Sequence, residues 1–210
     1  MHDLTEGVAR FRRDVFPTKA RLFAELASTH RPTTLFIGCS DARVVPELIT
    51  QSEPGDLFVI RTAGNLVPAY TPGPDGVAAG IEYAVAVLGV GEIVVCGHSA
   101  CGAMTALAEA HDLDAVPAVA DWLRHADASL ARTGTPGTAG TAGTAGTAGA
   151  DVAALVRENV RAQLTNLATH PSVARALAAG GLTLRGWVYD IPTGAVEQLA
   201  PTDPTAVPVA

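Results

Sequence analysis

The chain has 210 residues, 48% of them apolar and 17% charged, with a formal net charge of −7. That supplies a sizeable core for a single domain over 1–210 without disulfide support, and three cysteines are too few and too oddly numbered for a secreted disulfide framework. The acidity leaves no basic stripe to neutralise phosphates, which disfavours nucleic acid as a partner.

In chain order, residues 1–30 read as an N-terminal helical arm. Val8, Phe11, Val15, Leu22 and Leu26 recur at helical spacing and Pro17 interrupts them, so two helices or one bent helix are expected. Arg10, Arg12, Arg13 and Asp14 break this stretch, which therefore carries no apolar core of a secretory signal; a cytoplasmic location is the expectation. Residues 33–38 are β-prone and apolar, and a second strand is expected before the helix over 75–88. Residues 77–95 are long and mostly apolar, but Glu82, Glu92, Gly89 and Gly91 interrupt them. A helix over 75–88 followed by a buried strand over 92–96 accounts for the stretch without a membrane span.

A helix is expected over 116–130. Residues 133–150 hold Thr-Gly-Thr-Pro-Gly and four copies of Thr-Ala-Gly, a composition that buries no apolar area and reads as a flexible, solvated insert. A helix over 151–169 follows, with Val152, Leu155, Val156, Val160, Leu164 and Leu167 on one face, and His170-Pro171 stops it. A last strand over 182–191 turns at Pro192-Thr193-Gly194 into 195–199. Alternation of strands and helices predicts an α/β fold: a mostly parallel central sheet flanked by helices.

Chemistry concentrates at two strand ends. Cys39-Ser40-Asp41-Ala42-Arg43 follows the first strand, and His98-Ser99-Ala100-Cys101 follows the strand over 92–96. Two thiolates and an imidazole suit Zn²⁺, and three protein ligands leave a fourth tetrahedral position open to water. An extended loop after Cys39 would project Cys39, Asp41 and Arg43 to one side. Ser99 could cap a helix running to residue 110, placing Cys101 one turn from His98. Both motifs would lie at the carboxyl ends of parallel strands, where open α/β sheets bind ligands. Cys96, within its strand, reads as a small buried apolar residue. Ser40 and Ser99 lack a nucleophile elbow and are assigned hydrogen-bonding or capping roles.

Cys-x-Asp-x-Arg followed by Gly-His-x-x-Cys-Gly resembles the zinc signature of the β-class carbonic anhydrases. The segments from Gly55 to Asn65, Ile81 to Val85 and Gly186 to Ile191 resemble that family too, in the expected order. The resemblance implies reversible hydration of CO2 to bicarbonate and a proton through zinc-bound hydroxide, with Zn²⁺ held by Cys39, His98 and Cys101. It also implies that Arg43 holds Asp41 as the catalytic auxiliary, while closed family forms place Asp41 on the metal as a fourth ligand. A homodimer or homotetramer is implied, the amino-terminal helix wrapping the partner. Ala42 stands where the family commonly has serine, and His30 where plant-like members have a substrate-binding glutamine. Phe36 replaces the tryptophan of a regulatory bicarbonate pocket, although Arg61 matches its arginine, so that regulation is not expected. The alternatives are hydrolysis of COS or CS2 on the same site, and a non-catalytic zinc-stabilised regulatory protein.

Overall fold

A computed structural model of the chain describes residues 3–133 and 151–200. Apart from Thr133, the Thr/Ala/Gly insert lies outside the described residues. The described strands are β1 (Thr34–Cys39), β2 (Leu57–Thr62), β3 (Glu92–His98), β4 (Thr183–Tyr189) and β5 (Val196–Leu199). They form one sheet in the order β2-β1-β3-β4-β5, parallel except for β5, which runs antiparallel to β4. The expected mostly parallel α/β sheet is what the chain forms.

Near-continuous apolar runs build the central strands because both faces are covered. Leu35 and Ile37 of β1 and Ile93 and Val95 of β3 point into the main core, whereas Phe36, Val94 and Cys96 form a smaller cluster with Trp187 and Tyr189 on the opposite face. Cys96 is fully buried, as its position in the strand predicted.

Two helices fix the main core. Helix α4 (Gly76–Glu82) starts at Asp75, whose carboxylate accepts from the Val77 and Ala78 N–H groups, and continues as a π-helical turn over Tyr83–Leu88. Helix α8 (Val152–Ala168) is capped by Asp151 and buries Leu155, Val156, Val160, Leu164 and Leu167. Removing one of these, as in Leu155→Ala, costs about 2–5 kcal/mol at a site this tightly packed. Close packing on the sheet depends on Gly97 and Gly186: a Cβ at either would lie 2.9 Å from a Val160 methyl.

Several helices differ from their expected bounds. The amino-terminal arm is one run of helical turns: α1 (Leu4–Arg10), a π-helical segment over Phe11–Val15, and α2 (Phe16–Leu26). Pro17 has no N–H to donate, and it sits in the first turn of α2, where none is needed. The expected helix over 116–130 is instead α6 (Pro117–Leu123), a 3₁₀ turn over Arg124–Ala126, and α7 (Asp127–Arg132). His170-Pro171 does end α8, but Pro171 also opens α9 (Pro171–Ala178), since proline suits a first helical turn. Among the described residues no helix is long and apolar enough to cross a membrane.

Candidate metal centre

Strands β1 and β3 are hydrogen-bonded neighbours, so their carboxyl ends bring Cys39 and His98 together. Cys101 joins them from the start of α5 (Gly102–Ala108). The two sulfurs and one imidazole nitrogen lie within 4.8 Å of one another, and all three residues are buried. Cys101, rather than Ser99, is the N-cap of α5. Ser99 is drawn away because its hydroxyl accepts from the Ile191 N–H at 2.9 Å and its own N–H donates to the Tyr189 carbonyl at 2.9 Å. Ala100 then takes a left-handed conformation (φ 53°) that turns the chain back toward Cys101.

The donor set fits a metal. His98 Nδ1 lies 2.9 Å from the Ser99 carbonyl, which can only accept, so Nδ1 carries the proton and Nε2 presents a lone pair. That Nε2 is buried and has no hydrogen-bond partner among the described residues. A neutral imidazole aimed between two cysteine sulfurs is what a tetrahedral site for a borderline ion requires. The contact with Cys101 pushes the Cys39 thiol well down, while the same contact pushes Cys101 up. Binding a metal requires the sulfurs to give up their protons.

Asp41 and Arg43 stand beside this group in a different geometry from the extended loop the sequence suggested. The chain turns tightly: the Val44 N–H donates to the Asp41 carbonyl at 3.0 Å. The turn is favoured because the Asp41 carboxylate accepts from the Arg43 backbone N–H at 2.9 Å. Arg43 folds back bidentately, Nε to Oδ1 at 2.9 Å and Nη2 to Oδ2 at 2.6 Å, and its Nη2 also donates to the Ala100 carbonyl at 3.1 Å. The guanidinium holds the Asp41 carboxyl far below the usual carboxylate range. Asp41 Oδ2 is 3.9 Å from His98 Nε2, and Asp41 lies outside the three-residue group. All the sequence-predicted site residues therefore converge, with Asp41 committed to Arg43.

Arg61 contributes what the sequence reading did not foresee. From the end of β2 it donates to the carbonyls of Cys39 (3.0 Å), Asp41 (2.6 Å) and Val44 (2.8 Å), tying down the turn that carries Asp41 and Arg43.

The family model for carbonic anhydrase matches residues 34–196, a span that contains β1 to β4, the first residue of β5 and the whole site. The chain belongs to the β-carbonic anhydrase family. It is 57% identical over 199 residues to a carbonic anhydrase of Pseudomonas aeruginosa, covering 95% of this chain and 87% of that one. Against carbonic anhydrase 1 of Escherichia coli it is 50% identical, over 93% of this chain and 86% of the relative. The solved β-carbonic anhydrase CcaA superposes with a TM-score of 0.82 at 40% identity, covering 94% of this chain and 98% of that structure. As a β-carbonic anhydrase the chain is an enzyme, and its buried Cys/His/Cys group is a metal-binding constellation on the family's fold.

Proposed function

We propose that this β-carbonic anhydrase interconverts CO2 and bicarbonate at a zinc ion held by Cys39, His98 and Cys101, with Asp41 and Arg43 as the catalytic pair. The observation that carries the reading is the bidentate Asp41–Arg43 bridge set directly beside three convergent soft and borderline donors. Zinc in an open site supplies Lewis acidity that lowers the pKa of water from about 15.7 to roughly 7.

The chain's own residues supply orientation. Arg43 keeps Asp41 ionised and acceptor-only, so Oδ2 takes a hydrogen bond from the attacking water and fixes its approach to CO2. By bonding the Ala100 carbonyl as well, Arg43 couples the Asp41 turn to the loop that joins His98 to Cys101. The same grip keeps the Asp41 carboxylate from joining the three donors, which favours the open catalytic reading over a locked, non-catalytic site. Stopped-flow CO2 hydration by the zinc-loaded protein, from about pH 6.5 to about 9, tests this. A rate that climbs with pH supports it. A fully zinc-occupied protein with no rate above buffer at any pH would falsify it, and turnover of COS or CS2 under the same conditions would redirect the substrate.

We further propose a homodimer or homotetramer. The solved β-carbonic anhydrases of Sordaria macrospora, 28% identical with a TM-score of 0.76, are described as tetrameric. In this chain α1 and α2 bury no residue, and Leu4, Val8, Phe11, Val15 and Phe16 are exposed. A second copy is the natural cover for that arm.

A further inference from the structure

Strand β2 lies at one edge of the described sheet, and Arg61 near its end is an exposed residue of the kind that ordinarily leaves its charge to solvent. Its guanidinium instead reaches across the carboxyl end of β1. Nε donates to the Cys39 carbonyl at 3.0 Å, and Nη2 donates to the carbonyls of Asp41 at 2.6 Å and Val44 at 2.8 Å. Gly38, opposite Arg61 in the β1–β2 register, has no side chain to stand in the way. A Cβ there would lie 3.1 Å from the Phe36 ring and 4.0 Å from a Val44 methyl, so the turn folds closely back over this point.

The three carbonyls bracket the catalytic pair: one precedes Asp41, one is its own, and one follows Arg43. The Ser40 N–H adds a fourth tie to β2, donating to the Thr62 carbonyl at 2.9 Å. The backbone on both sides of Asp41 is thus referred to a strand of the sheet rather than left to the loop. Two arginines act at different depths. Arg43 grips the Asp41 carboxylate and the Ala100 carbonyl, and Arg61 grips the main chain beneath them. A rigid, planar fork can meet several fixed acceptors at once, and hydrogen bonds from a charged donor are stronger than neutral ones.

We propose that Arg61 is a positioning residue for the Asp41–Arg43 pair, fixing the main chain that sets where the Asp41 carboxylate stands beside the metal donors. Asp41 Oδ2 is 3.9 Å from His98 Nε2, and displacing a reacting group by about 1 Å can cost on the order of 100-fold in rate. Without Arg61 the Val44 carbonyl loses the guanidinium and the Asp41 carbonyl keeps only the Val44 N–H. The pair then moves with its turn while the bridge between its members stays closed. Arg61 bonds no side-chain atom of Cys39, His98 or Cys101, so its loss slows the reaction without emptying the site. The inference rests on the reading that Asp41 and Arg43 are the catalytic pair.

Arg61→Lys and Arg61→Gln test this in the zinc-loaded protein, since the first keeps the charge and loses the fork while the second loses both. Arg185→Gln is the control: its partner Glu92 stands at the amino end of β3, away from the site. In both Arg61 variants kcat for CO2 hydration falls by roughly 10–100-fold, with KM and zinc content unchanged. A second readout needs no turnover. By NMR hydrogen exchange the Val44 amide, bonded to the Asp41 carbonyl, loses protection in the Arg61 variants, while the Ser40 amide, bonded to Thr62, keeps it. Arg185→Gln moves neither the rate nor these amides. Full kcat in Arg61→Lys, an unmoved Val44 amide, or zinc lost in step with the rate overturns the proposal. Should Arg61→Gln not fold, Arg61→Lys decides alone. No CO2 hydration by the unaltered zinc-loaded protein is a distinct result, which sinks the catalytic reading itself.

Discussion

Arg43 is the residue on which the site's behaviour turns. Its guanidinium bonds two elements at once, the Asp41 carboxylate and the Ala100 carbonyl. Arg43→Ala therefore removes the acceptor's anchor and one brace of the His98–Cys101 loop, and CO2 hydration should fall by roughly 10–100-fold with zinc still bound. Arg43→Lys will not restore it, because an ammonium cannot reproduce two parallel N–H donors. The pH consequence has a definite sign. Asp41 titrates lower in the folded chain than its ordinary value near 4, so its pairing stabilises the fold above that value and the contribution is lost as pH falls through and below it. The Asp41 carboxyl carbon, followed by NMR, should show no titration step near the ordinary value of about 4 in the native protein. A step there would mean the Arg43 bridge is open in solution. Cys96 behaves in the opposite way: burial pushes its thiol up to about 12, so thiol reagents at neutral pH should modify Cys39 first after metal removal and leave Cys96 untouched. Mass spectrometry of the labelled protein reads this directly.

At the level of elements, β3, β4 and α8 are matched by missing side chains. Gly97→Ala or Gly186→Ala would drive a methyl against Val160 and should cost about 1–3 kcal/mol, measured by denaturant unfolding. Asp151→Ala removes the cap of α8 and should cost about 1 kcal/mol. These elements were legible in the sequence: the apolar period over 151–169 and the runs over 33–38 and 92–96 place α8, β1 and β3 to within a residue or two, and they place the ligands at strand ends. What the sequence did not disclose was how short connections resolve competition for hydrogen bonds. Ser99 read as a cap, but Ile191, distant in sequence, claims its hydroxyl. The loop after Cys39 read as extended, yet the Asp41 side chain bonds its own backbone two residues on and turns it. Arg61 gave no local hint of its three carbonyl acceptors. Asn159, Gln163 and Asn166 did carry a signal, since amides at i, i+4 and i+7 on the buried side of a helix need partners inside the protein.

Across the whole molecule, the arm is the part that the single chain leaves unexplained by its own packing. Phe11, Phe16 and Phe23 contact one another at ring-centroid distances of 5.6–6.2 Å, yet the arm's helices bury no residue. Deleting residues 1–30 should shift the protein to a smaller species in analytical ultracentrifugation; an unchanged sedimentation coefficient per expected mass would place the interface elsewhere. The site has a global role of another kind. Its donors come from adjacent strands but from positions some sixty residues apart along the chain. A metal bound there is a tether as well as a catalyst: it closes a long loop in the way a cross-link does, and because the unfolded chain holds no preformed site, binding free energy becomes folding free energy. Stripping the metal should then lower the melting temperature and broaden hydrogen exchange along the ends of β1 and β3 together, so that the same ion sets both how fast the protein works and how long it lasts.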